Sequence, residues 1–471
     1  MGKTYLEFFK ELCRIPHGSG NTKAISDYCV SFAKARGLAV RQDALGNVVI
    51  RKAAAPGREL EDGVILQGHL DMVAVKEPDL DFDFTKDPLR LKTDGDYLYA
   101  EGTSLGADDG IAVAMALAVL DSNEISHPPL ECLFTVDEEI GMLGAVDLDM
   151  SDFTGRYMLN MDSDEEGYAV VSCAGGCRAE VCVPFVREAK KSQGLRIELT
   201  GLTGGHSGTE IHKGRANANC LLADILKDLP GEFFLSDFRG GAADNAIAPS
   251  AVAVLAVNAD FQADEFLNQK KAQLQAEWRQ SDPNLTLAWE TLPESELLVM
   301  KKEDGERLLQ LMTKLPNGPL KYSVEIPDMV ELSTNLGIVH VEEDGAHLVM
   351  APRSARNEDR EELKKEIQSI AQNYGAVVSF QGEYPGWPLK ANSKLQRLAS
   401  QVYREQTGKE LILQGIHAGL ECGIFSEKLP NLDIISFGAE LLDIHSTKER
   451  LSLSSAERTW KFLLGILEKI S

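Results

Sequence analysis

Short apolar runs mark the first third of the chain. Residues 64–66, 131–136 and 157–161 each read as a buried strand. Residues 111–120 read as a core helix opened by a Gly-Ala-Asp-Asp-Gly turn. Strand, helix and strand in alternation predict an α/β sheet with helices on its faces. A fourth apolar run at 432–437, near the far end of the chain, fits the same sheet.

The middle of the chain has a different rhythm. Residues 195–199, 251–257, 347–350 and 376–380 alternate or run as strands. Helical patterns lie at 216–229, 263–279 and 359–372. This predicts a smaller α+β domain. The prolines of Tyr384-Pro385-Gly386-Trp387-Pro388 stop regular structure and mark its end, and Pro56-Gly57 marks a surface loop. The expected organisation is an α/β domain with a mixed sheet flanked by helices, in two pieces at 1–175 and 386–471. An α+β domain at 176–385 is inserted between them.

Composition narrows the function. Acidic residues outnumber basic ones, 73 to 48, for a net charge of -25. Such a surface repels phosphate backbones and anionic lipid, so neither nucleic acid nor a membrane is an expected partner. The first residues carry no long apolar segment of a secretory signal, and the run at 111–120 is too short to span a bilayer. The eight cysteines show no paired spacing and read as reduced thiols in a cytoplasmic protein.

The chemistry follows the strands. Residues 64–66 run into Gln67-Gly68-His69-Leu70-Asp71, and 131–136 into Asp137-Glu138-Glu139. Residues 157–161 run into Asp162-Ser163-Asp164, and the late strand leads to Asp443-Ile444-His445. Open α/β sheets bind ligands at the carboxyl ends of their strands. So many acids at one edge repel one another unless cations are present. Histidine and carboxylate donors suit zinc, manganese or cobalt, and a carboxylate can bridge two ions. Taken singly, His69 reads as a hydrogen-bonded histidine, Asp108-Asp109 as a helix cap and Asp137-Glu138-Glu139 as a solvated loop. Taken together they read as one site.

These motifs resemble the M20 family of dinuclear metallopeptidases, within it the aminoacyl-histidine dipeptidases. The matching stretches are Ile15-Pro16-His17, Leu66 to Val73, Leu105 to Gly110, Asp137 to Met142, Gly204-Gly205-His206-Ser207-Gly208, Ile416 to Gly423 and His445-Ser446. The resemblance implies a homodimer that hydrolyses dipeptides, Xaa-His among them, with the two-piece α/β domain catalytic and the inserted α+β domain a lid. It implies two divalent ions per subunit, zinc first, with manganese or cobalt as alternatives. His69 and His445 would be terminal ligands of opposite ions, Asp108 the bridge, and Glu139 and Asp162 the remaining ligands. Asp71 would orient His69, and Glu138 would act as general base. His206 would donate to the oxyanion in the partner subunit's site. Asn245 and Arg353 would hold the substrate, with Arg353 on its carboxylate. His417, Gly419 and Glu421 would line the site near the substrate amine.

The resemblance also implies a cis bond after Asp108. This chain carries Asp109 where close relatives often have Asn, and Thr447 and Ala439 where proline is common. His17, His127, His212, His340 and His347 read as structural or surface residues. Two other functions compete: another M20 peptidase or deacylase with different lid contacts, and a non-catalytic metal-binding protein. The second would be expected to have lost Glu138 or a ligand, and all are present.

Overall fold

The computed structural model describes residues 3–326 and 328–471. It divides into two compact units. One runs through Ser172 and resumes over Trp387–Gly415 and Leu420–Ser471; the other comprises Cys173–Gly386 and Ile416–Gly419. The stretch Ile416–Gly419, which the sequence reading assigns to the last catalytic segment, belongs to the second unit.

The first unit is built on an eight-stranded mixed sheet. Its strands lie in the order Ala39–Gln42, Val48–Lys52, Leu130–Thr135, Val64–His69, Tyr157–Asn160, Asp433–Ser436, Tyr168–Cys173 and Ile412–Ile416. The four strands from Leu130–Thr135 to Asp433–Ser436 are mutually parallel. All four are buried along their whole length, which explains why they read as unbroken apolar runs and not as alternating ones. The helix Ala107–Asp121 covers Val64–His69 and packs on the helix Tyr5–Leu12. It is buried on nearly every face, so the sequence shows it as an apolar block. Parallel strands put their carboxyl ends on one edge, and His69, Glu138, Glu139 and Asp162 emerge there. A small sheet of Leu91–Asp94, Tyr97–Ala100, Leu441–Leu442 and Arg450–Ser452 frames the loop that carries His445.

The second unit is α+β. Its large sheet is antiparallel at each described pairing and is backed by the helices Ala218–Asp228, Lys302–Lys314 and Asn357–Asn373. Leu222, Leu226, Phe238, Leu255, Leu308 and Ile367 are among the residues of its own core. Sequence reading finds three of its helices, but not Lys302–Lys314 or the strands Gly175–Pro184, Phe233–Gly240 and Thr286–Met300. Among the described residues no helix is long and apolar enough to cross a membrane.

Candidate active site

His69 is the last residue of its strand and is buried. Its Nδ1 lies 2.9 Å from the backbone oxygen of Asp71, to which it donates, so Nε2 is left to face the cluster. There it lies 3.2 Å from Asp108 Oδ1 and 3.7 Å from Asp162 Oδ1. The other oxygen of Asp108, Oδ2, lies 3.1 Å from His445 Nε2. His445 Nε2 is in turn 2.9 Å from Glu139 Oε1. One carboxylate thus offers one oxygen to each of two imidazoles, and each imidazole has a second carboxylate beside it. The Asp108–Asp109 peptide bond is cis.

Three features position these groups. Asp71 is buried; its Oδ1 accepts the Glu138 backbone N–H at 3.0 Å, and its Oδ2 accepts from Ser19 Oγ at 2.8 Å and from the Glu139 N–H at 3.3 Å. Asp71 therefore fixes the Glu138-Glu139 backbone as well as standing by His69. Glu449, which sequence reading missed, is buried against the turn before Asp108. It accepts the N–H groups of Leu105 and Gly106 at 2.8 and 3.1 Å on Oε2 and of Ala107 at 2.8 Å on Oε1. A buried acid four residues beyond His445 is the only sequence signal for it. At Gly68, a Cβ would lie 2.5 Å from Asp109 Oδ2, so only glycine lets the helix carrying Asp108 approach the strand this closely.

The charges show what the cluster suits. Asp108 and Glu139 hold the His445 imidazole up at about 10, against its burial. Burial pushes the Glu138 carboxyl up to about 7, with Glu139, Asp108 and Asp71 adding to it and His69 opposing. Burial, then Asp109, carries Asp162 well above the ordinary carboxylate range. Glu139 Oε1 is buried and makes no hydrogen bond, although His445 is close. Carboxylates crowded closely enough to push Glu138 and Asp162 up fit a site for divalent cations. Two imidazoles and three carboxylates are the donors such ions take. His69, Asp108, Glu139, Asp162 and His445 could hold two of them, with Asp108 shared.

Glu421 opens the helix Glu421–Lys428 and is fully buried. Its Oε2 accepts from Gln67 Nε2 at 2.6 Å and Thr135 Oγ1 at 2.8 Å, while Oε1 has no partner. Burial, then Glu138, raises its carboxyl to about 8. Gln67 also accepts from Asn160, so a polar network links three parallel strands beneath the cluster.

The second unit holds the other predicted residues. His206 Nδ1 accepts the N–H groups of Gly208 at 3.2 Å and Thr209 at 3.1 Å. Two donors on Nδ1 put the proton of the neutral ring on Nε2, and burial, then Arg353, favours that neutral form. Arg353 is buried; its Nη1 donates to Tyr384 Oη at 2.8 Å, and its Nε has no partner. Among the described residues no carboxylate forms an ion pair with it. His417 is buried with Nε2 2.7 Å from Ser333 Oγ, and burial, then Arg353, lowers it to about 3. At Gly419 a Cβ would meet the Tyr384 ring at 2.8 Å. The backbone oxygen of Asn245 accepts the Ser207 N–H at 2.8 Å, and the Asn245 residue is exposed.

Known proteins resemble the chain throughout. It is 36% identical to the cytosol non-specific dipeptidase of Escherichia coli (strain K12), over 98% of this chain and 97% of that one. The crystal structure of aminoacylhistidine dipeptidase from Vibrio alginolyticus superposes with a TM-score of 0.95 at 37% identity, covering 99% of this chain and 96% of the other. Aminopeptidase PepT from Bacillus cereus shares the fold alone, at a TM-score of 0.56 and 16% identity over 99% and 98% of the two chains. The profile of peptidase family M20/M25/M40 matches residues 65–469, and the chain belongs to that family.

Proposed function

We propose that this protein is a metal-dependent dipeptidase that hydrolyses dipeptides, Xaa-His among them, with Glu138 as general base. The observation that carries this reading is Asp108, whose two oxygens face His69 and His445 at 3.2 and 3.1 Å beside an acid raised to about 7. Full-length similarity to a non-specific dipeptidase and to an aminoacylhistidine dipeptidase supports it. His69 and Asp162 would hold one ion, Glu139 and His445 the other, and Asp108 both. Zinc is the first choice, with manganese or cobalt as alternatives. Bound there, the ions supply positive charge that acidifies a water and polarises the scissile carbonyl.

The chain's own groups do the rest. Glu138 takes a proton from the attacking water and returns it to the leaving amine. Asp71 keeps Glu138 and Glu139 at fixed positions through their backbone amides, and orients His69. His206, neutral with its proton on Nε2, donates to the developing oxyanion. Arg353, a buried cation lacking a carboxylate partner, receives the substrate carboxylate, with Asn245 beside the substrate. His417, Gly419 and Glu421 line the amine side, where Glu421 has its Oε1 to offer.

We read the enzyme as a cytoplasmic homodimer in which His206 serves the partner's site. Mixed His206→Ala and Glu138→Gln subunits should then regain part of the lost activity; no recovery once exchange is verified contradicts the shared site. Substrate length tests the whole reading. Groups that grip both ends of the substrate fix the length, so tetrapeptides and amidated dipeptides should turn over at least about tenfold more slowly than dipeptides. Equal rates on dipeptides and tetrapeptides would favour an aminopeptidase instead.

A further inference from the structure

A separate group of metal-ligand side chains lies in the second unit, on the hairpin of strands Leu336–Val341 and Gly345–Met350. In its register His340 opposes His347, and His347 opposes Cys182 on the strand Gly175–Pro184. Opposed residues on adjacent strands share a face and stand about 5 Å apart. Three donor-bearing residues thus form a row across three strands. The turn of the hairpin adds Glu342 and Asp344 at one end of it.

The donor atoms converge. The His340 and His347 rings stack with centroids 5.1 Å apart and planes at 10°. The Glu342 carboxylate spans them, with Oε1 3.2 Å from His340 Nε2 and Oε2 3.6 Å from His347 Nε2. Donor atoms of Glu342, Asp344 and His347 all lie within 4.8 Å of one another. The second nitrogen of His347, Nδ1, lies 3.4 Å from Cys182 Sγ. In the tautomer with its proton on Nδ1, facing that sulfur, the ring turns its Nε2 lone pair toward the carboxylates. Metal-ligating imidazoles are oriented in this way, by a partner on the nitrogen that does not bind.

We propose that this hairpin binds one divalent transition-metal ion, with Glu342, Asp344 and His347 as ligands and the His340 ring stacked beside them. Mixed imidazole and carboxylate donors select zinc, nickel or copper over magnesium or calcium. Both histidine side chains are 38% exposed, so the ion enters from solvent without opening the fold. Its ligands come from the turn and from the strand Gly345–Met350, so its effect is to clamp the turn against that strand. Cys182 is a positioning residue behind His347.

Equilibrium dialysis of the holoenzyme against micromolar free Zn2+ should give one more ion per chain than the same protein carrying His347→Gln. Glu342→Gln, on the exposed turn, should lose the same ion, with dipeptide turnover unchanged in both variants. With Cu2+ as the probe, electron paramagnetic resonance should show coupling to an imidazole nitrogen at this site, lost in His347→Gln. Equal metal content in wild type and both variants overturns the proposal. The readout is a difference in stoichiometry, so failure of the catalytic reading leaves it intact.

Discussion

Asp71 Oδ1 accepts the backbone N–H of Glu138 at 3.0 Å. One buried carboxylate, two residues beyond His69, thereby ties the strand end that carries the imidazole to the loop that carries Glu138 and Glu139. The same carboxylate takes the Glu139 N–H and the Ser19 hydroxyl. Base and ligand sit on adjacent residues whose separation depends on a third group, which predicts different results from removing each.

Glu138→Gln is close in shape and keeps the backbone amide that Asp71 holds. It should lower kcat by about 10²–10⁴-fold while metal content stays at two ions per chain. Asp71→Ala should lower both kcat and metal affinity, the latter by about 10–100-fold. Steady-state kinetics with metal analysis on the same samples separates the two. Loss of both ions from Glu138→Gln would contradict the roles given to Glu138 and Glu139.

Glu449→Gln replaces one of two acceptor oxygens by a donor, against backbone N–H groups that cannot turn away. Leaving such buried groups unpaired costs about 1–3 kcal/mol. Thermal unfolding should show a lower Tm, and the displaced Asp108 should bring weaker metal binding with it. An unchanged Tm would mean that the turn before Asp108 is held by its own backbone.

His417 supplies a pH dependence of stability. Its folded value, about 3, lies below the ordinary 6.5, chiefly through burial and Arg353. Between those values the unfolded chain binds the proton and the folded one does not. The stability is therefore fully present above pH 6.5 and is lost as pH falls toward 3. At pH 5 the loss from this group is about 2 kcal/mol. His17 and His127, also buried and lowered, act in the same direction, and His69, raised by its carboxylates, acts in the opposite one, so the check is a comparison: His417→Gln should lose less stability than wild type between pH 7 and pH 5. Parallel losses would show that His417 is not the group responsible.

The parallel core was legible in the sequence because its strands are covered on both faces and leave unbroken apolar runs that end in acids and histidines. The helix Ala107–Asp121 was legible for the same reason. Much of the second unit was not. The strand Thr286–Met300 is largely exposed, and the polar stretch Glu290 to Glu296 interrupts it, so its apolar residues at 287–289 and 297–300 read as two fragments too short for one strand. The cluster of His69, Asp108, Glu139, Asp162 and His445 follows from strand ends, since parallel strands deliver their carboxyl ends to one edge. Glu449 and the network of Gln67, Thr135 and Asn160 act through backbone amides and buried side chains. Such contacts depend on packing between distant segments and leave no local pattern. His340 and His347 are seven residues apart, and only the register of the hairpin makes them neighbours.

The central claim is that hydrolysis depends on two ions held by the five clustered ligands. Its most direct test is turnover of alanyl-histidine by metal-depleted protein as Zn2+, Mn2+ or Co2+ is added back, with bound metal measured on each sample. Activity should be absent at the start, rise with added metal and level off at two equivalents per chain, a further equivalent adding none. Full turnover by demonstrably metal-free protein would contradict the account.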